Sequence, residues 1–86
     1  MQQKERLHVF AYDIAEASRR NRTVEVLLNF GKRVGLSLFE CAVDDGQARA
    51  IWDQLTAIID PQTDRVNLYR ACHYCERLRA FIGKPL

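Results

Sequence analysis

With 86 residues the chain holds one small domain and not two, and a core of that size is marginal unless something supplements it, oligomerisation being a common route. Thirteen Lys and Arg against eleven Asp and Glu leave a net charge of only +2, so the sum alone demands no polyanionic partner and distribution matters more. Three cysteines, Cys41, Cys72 and Cys75, form no paired disulfide framework, and no apolar run has the length of a signal segment or membrane span, which leaves a soluble, cytoplasmic domain with reduced thiols and no membrane partner as the expectation.

Residues 1–6 are polar and read as a flexible start. Leu7 to Asp13 then reads as a strand with apolar residues on both faces, Leu7, Val9 and Ala11 on one and Phe10 and Tyr12 on the other. Such a strand needs cover on both sides, and a two-layer domain covers one. A homodimer is therefore expected. The strand runs into Asp13, and Arg19-Arg20-Asn21-Arg22 follows at once in a helix expected from about Glu16 to Phe30. Ala17, Val24, Leu27 and Leu28 form its predicted buried stripe, and Gly31 its stop, in the left-handed cap conformation. The helix dipole is positive at this end, so three arginines are locally unfavourable there and suit an external polyanion such as phosphate.

Arg33 to Val43 is rich in β-compatible residues and breaks near Gly35-Leu36-Ser37, which predicts two short strands joined by a turn or bulge. Asp44 is placed to cap a second helix with Gln47 as its capping-box partner. Ala48, Ile51, Trp52, Leu55, Ile58 and Ile59 recur on one face, and Pro61 lies beyond the end. Arg65 to Ala71 alternates Val66 and Leu68 with polar neighbours as a fourth strand, and Leu78 to Ile82 adds a short fifth. The order βαββαβ is the ferredoxin-like α+β arrangement, as a single domain over residues 1–86. Residues 77–86 are expected to pack on the partner subunit, with Arg77 to Ile82 extending its sheet edge.

Asp13 has two readings. It can hold Mg²⁺, which keeps several waters and takes one or two carboxylates plus substrate phosphates. One Asp13 per chain supplies one carboxylate, and a two-fold axis beside the first strand would supply a second. Alternatively, an acid at a strand end shapes the turn that follows. Other residues suit structural work better. Cys72-His73-Tyr74-Cys75 has the spacing of half a zinc site but lacks the other half, so these read as ordinary cysteines. His8 and Trp52 fit packed positions, whereas Phe39 could stack on a base.

The succession of Tyr12-Asp13-Ile14 after an apolar strand, an arginine-rich helix, Phe30-Gly31-Lys32-Arg33-Val34, Ser37-Leu38-Phe39-Glu40-Cys41, and Ile58-Ile59-Asp60-Pro61 before Val66-Asn67-Leu68-Tyr69 resembles CRISPR-associated protein 2. The resemblance runs from about Leu7 to Gly83. It implies a ferredoxin-like homodimer in spacer acquisition that contacts the backbone of double-stranded DNA and bridges dimers of the integrase, CRISPR-associated protein 1. It also implies, for some members, an endonuclease activity on RNA or DNA that depends on Mg²⁺ or Mn²⁺. Residue by residue, the catalytic and metal-site acid maps to Asp13, and nucleic-acid positions map to Tyr12, Arg20, Arg22, Arg33 and Phe39. Arg19 joins them on the helix-start argument. The competing function is a stand-alone metal-dependent ribonuclease of the related toxin type. An acylphosphatase-like enzyme would need a phosphate-cradling glycine-rich loop, which is missing, and an RNA-recognition module would need an aromatic motif that is also missing.

Overall fold

The computed structural model describes residues 4–71. Six elements follow in order: β1 (Arg6–Asp13), α1 (Ala17–Leu28), β2 (Lys32–Gly35), β3 (Leu38–Val43), α2 (Asp45–Ile58) and β4 (Arg65–Arg70). The strands form one antiparallel sheet in the order β2-β3-β1-β4, so β1 is central and pairs with both β3 and β4. This is the βαββαβ arrangement that the sequence predicts. The fifth strand over Leu78 to Ile82, the segment 77–86, and Cys72 and Cys75 lie outside the described residues.

One face of the sheet carries the core. His8, Phe10 and Tyr12 of β1 and Phe39, Cys41 and Val43 of β3 are buried, together with Leu27 of α1 and Ala48, Ile51 and Leu55 of α2. Burying a large aliphatic or aromatic side chain contributes about 1.5–3 kcal/mol, so these positions carry most of the driving force for folding. Cys41 is a free, buried thiol whose pKa burial pushes up to about 11. On the opposite face Leu7, Val9 and Ala11 are only half-buried and Tyr69 is exposed. Among the described residues, no element packs on this second face.

The predicted stripe of α1 needs correction. Leu28 is 56% exposed and Ala17 is also on the surface, while Thr23 is fully buried beside the packed Val24, Val26 and Leu27. Thr23 and Leu27 are four residues apart and share a face, whereas Leu28 lies a further 100° or so round the helix. A polar Thr on the core face hid the true stripe.

Gly31 ends α1 in a different way from the one expected. Its N–H donates to the Leu27 carbonyl at 3.0 Å, but its backbone is outside the left-handed region. A side chain is excluded because a Cβ at Gly31 would lie 2.1 Å from the Glu40 carbonyl oxygen and 2.6 Å from Cys41 Sγ. The glycine permits close approach of the helix exit to β3.

The second helix agrees with the sequence. Asp44 Oδ1 accepts from Gln47 N–H at 2.7 Å, and Gln47 Oε1 accepts from Asp44 N–H at 3.0 Å, the reciprocal capping box. Leu36 and Ser37 form the turn between β2 and β3, as the sequence suggests, and the ladder also shifts register between Arg33 and Gly35. Among the described residues, no helix is long and apolar enough to cross a membrane.

Candidate nucleic-acid interface

β1 delivers Asp13 to the surface at its last position, facing Arg65 of β4 across the ladder. The alternation of the strand puts Tyr12 inward and Asp13 outward, and the next residue, Ile14, is buried again. The Asp13 carboxylate has no hydrogen bond or ion pair among the described residues.

The turn between β2 and β3 closes over this corner. Tyr12 Oη donates to the Leu36 carbonyl at 3.3 Å, and Tyr12 N–H to the Ser37 carbonyl at 3.0 Å. Arg33 Nε donates to the Gly35 carbonyl at 3.1 Å, and its Nη2 to the Leu36 carbonyl. From the other side Arg20 Nη1 donates to the carbonyls of Ile14 at 2.9 Å and Ala15 at 3.3 Å. The result is a cleft of about 590 Å³ whose polar lining includes Tyr12, Asp13, Arg20, Asn21, Arg33 and Ser37.

Arg20 and Arg33 bond only to carbonyl oxygens, and neither has a carboxylate partner among the described residues. Their cationic charge is therefore available to an external anion. Guanidinium groups hold phosphate oxygens in a planar, multi-donor geometry, which suits them to a nucleic-acid backbone.

Four of the sequence candidates thus converge: Tyr12, Asp13, Arg20 and Arg33. Arg22 is exposed on α1 and does not line the cleft. Phe39 has no exposed surface and packs under Tyr12, with ring centroids 6.3 Å apart and planes tilted by 34°. It supports the site from beneath and offers no face for base stacking. Arg19 turns inward, donating from Nε to Asp64 Oδ2 at 2.7 Å and from Nη2 to Asp64 Oδ1 at 3.3 Å. Its charge is neutralised inside the protein and is not presented to a ligand.

The sequence reading missed Asp64. Its carboxylate also accepts from the Ala15 and Asp60 amides at 3.0 and 2.9 Å and from the Thr63 hydroxyl at 3.1 Å. The Arg19 hydrogen bond, assisted by these donors against the opposing effect of burial, holds the carboxyl well below the usual carboxylate range. The same bond raises the Arg19 pKa. Elsewhere His8 is a packed residue, as expected, with Nδ1 donating to the Arg6 carbonyl at 3.0 Å and Nε2 3.6 Å from Asp45.

A family model for CRISPR associated protein Cas2 matches residues 6–78. The chain belongs to the Cas2 family. A relative from Rhodospirillum rubrum named as a Cas2 endoribonuclease is 33% identical over 76 residues, which cover 88% of this chain and 61% of that one. The chain therefore spans about three fifths of that relative's length. The crystal structure of Streptococcus pyogenes Cas2 superposes with a TM-score of 0.79 at 27% identity, covering 90% of this chain and 99% of that one. A chain of a partial Cas6-RT-Cas1–Cas2 complex has the same fold, with a TM-score of 0.76 at 19% identity over 94% of this chain and 90% of that one. The Cas2 family thus includes proteins named as nucleases, and its fold occurs in an assembly with Cas1.

Among the described residues no group of three or more His, Cys, Asp and Glu is placed to hold a metal. Asp13 offers one exposed carboxylate with no hydrogen bond or ion pair among the described residues, the type of oxygen donor that hard divalent cations take.

Proposed function

We propose that the chain acts in spacer acquisition as a homodimer that grips the backbone of double-stranded DNA and bridges Cas1 integrase dimers, with a weak metal-dependent phosphodiesterase activity on DNA or RNA centred on Asp13. The observation that carries this reading is the cleft itself: an unpaired carboxylate beside two guanidinium groups that lack acidic partners. Membership of the Cas2 family supports it and favours the integrase-linked role over a stand-alone toxin-type ribonuclease.

Arg20 and Arg33 would meet phosphate oxygens and fix the duplex without reading bases, so binding is sequence-independent and salt-sensitive. As charge builds on a phosphoryl group, the same guanidinium groups stabilise it. Asp13 and the Asp13 of a second copy would hold Mg²⁺ or Mn²⁺. Such an ion supplies positive charge at a phosphoryl oxygen and lowers the pKa of coordinated water. The open sheet face supports the homodimer, because half-buried apolar residues on that face gain cover from an identical face.

The test is Asp13→Asn, which keeps size and removes charge. Nuclease activity with Mg²⁺ or Mn²⁺ and prespacer integration with the partner integrase are measured side by side. Cleavage falls by orders of magnitude while integration persists. Loss of integration in a folded dimer would refute the architectural role, and unaltered cleavage would reduce Asp13 to a turn residue.

A further inference from the structure

We propose that Asp64 and Arg19 are a positioning pair that holds the Asp13 corner in its working geometry from across the fold, an inference that rests on the nucleic-acid reading above. Asp64 sits immediately before β4, and the first residue of that strand, Arg65, faces Asp13 in the ladder. Its side chain is fully buried. One carboxylate oxygen takes the Ala15 N–H, two residues beyond Asp13, and the other takes Arg19 Nε from the first turn of α1. Asp13 thus lies between two fixed points: its ladder partner Arg65, next to Asp64 in the chain, and Ala15, whose amide Asp64 holds.

The second half of the site depends on the same anchor. Arg20 bonds to the carbonyls of Ile14 and Ala15, so the direction of its guanidinium follows wherever that segment lies. Arg19 clamps the helix start to Asp64 and so fixes the residue next to it. Neither Asp64 nor Arg19 lines the cleft. Their influence on a bound phosphate is exerted through Ala15, Arg20 and the strand end.

Asp64→Asn replaces one acceptor oxygen with a donor among groups that all donate to it, namely Ala15 N–H, Asp60 N–H, the Thr63 hydroxyl and Arg19. Arg19→Met keeps the apolar stem and removes the clamp. Three quantities are read on both variants and on Ile51→Val, a core change chosen for a comparable loss of melting temperature. These are amide hydrogen exchange at Ala15 relative to Leu55, duplex affinity over a salt series, and Mg²⁺-dependent cleavage. For Asp64→Asn, Ala15 exchange accelerates while Leu55 does not, and affinity drops with the salt slope unchanged. Cleavage falls about a hundred-fold, the order of loss that a misplaced reacting group produces. Arg19→Met shows the same pattern, and Ile51→Val shows none of it.

Wild-type Ala15 exchange in a folded Asp64→Asn protein overturns the proposal. So does an equal loss of affinity in Ile51→Val, or a flatter salt slope in Arg19→Met, which would mean that Arg19 itself meets phosphate. Failure of the nucleic-acid reading is recognised separately, by Arg20→Ala and Arg33→Ala proteins that bind duplex as the wild type does. The Ala15 exchange would still decide whether Asp64 holds the corner.

Discussion

Val9 and Tyr69 face each other across the β1–β4 ladder on the side of the sheet that no helix covers among the described residues. Tyr69 is 59% exposed there, and Leu38 of β3 lies on the same face next to Ala11. A second copy presenting the same face would bury these side chains. Light scattering at micromolar concentration should give twice the chain mass. Val9→Glu should give a monomer or an unfolded chain, since an unpaired charge at a closed interface costs several kcal/mol. A wild-type dimer in the Val9→Glu protein would place the interface elsewhere.

The arginines of α1 are predicted to separate in a salt titration. Each phosphate contact contributes about 0.9 to the slope of log affinity against log salt on duplex DNA. Arg20→Ala and Arg33→Ala should each flatten the slope by about that much, while Arg19→Ala should leave it unchanged because Asp64 already neutralises that charge. Equal effects at all three positions would contradict the inward orientation of Arg19.

Two groups set the pH range of stability. The Asp64 carboxyl is depressed in the folded state, so the unfolded chain takes up its proton first as pH falls. Its contribution is complete above the ordinary carboxylate pKa of about 4 and is lost as pH drops below that value. Cys41 acts at the other end. Its thiol is raised to about 11 when folded, so the unfolded chain ionises first, and stability declines as pH rises from about 8.5 toward 11. Denaturant melts across pH should show both flanks. Asp64→Asn should remove the acid flank and Cys41→Ala the alkaline one.

Thr23 offers a stabilising substitution. Its hydroxyl is buried with no partner among the described residues. Thr23→Val keeps the shape and removes the unsatisfied group, a gain of about 1–2 kcal/mol. For a domain of this size each kcal/mol moves the melting temperature by about 4–8 °C. A lower melting point would mean that the hydroxyl is satisfied in solution.

The fold was legible because each level of the sequence agreed with the next. The Asp44–Gln47 capping box and the stripe from Ala48 to Leu55 specify α2 locally, and β1 advertises its central position through apolar residues on both faces. The site was legible in part. Tyr12, Asp13 and Arg20 are neighbours in the chain, and Arg33 reached them only through the family resemblance. Arg19, Arg20 and Arg22 look alike as letters, and what separates them is the direction each takes around the helix and the acid that Arg19 meets. That acid, Asp64, is 45 positions away and belongs to no local pattern. Phe39 misled for a similar reason, since an aromatic on a short strand can point to either side of the sheet.

The Ala15–Asp64 hydrogen bond joins positions 49 apart in the chain. A ribosome that has released β1, both helices and the hairpin has still not released the residue that locks the acid-bearing corner. Long-range pairings of this kind form late, after the loop they close has been ordered. A nascent chain stopped within α2 therefore carries every cation of α1 on an unshaped corner, and the geometry of that corner arrives only as β4 docks. The basic helix and its final arrangement are separated in time by the synthesis of the β2–β3 hairpin, α2, one further turn and β4.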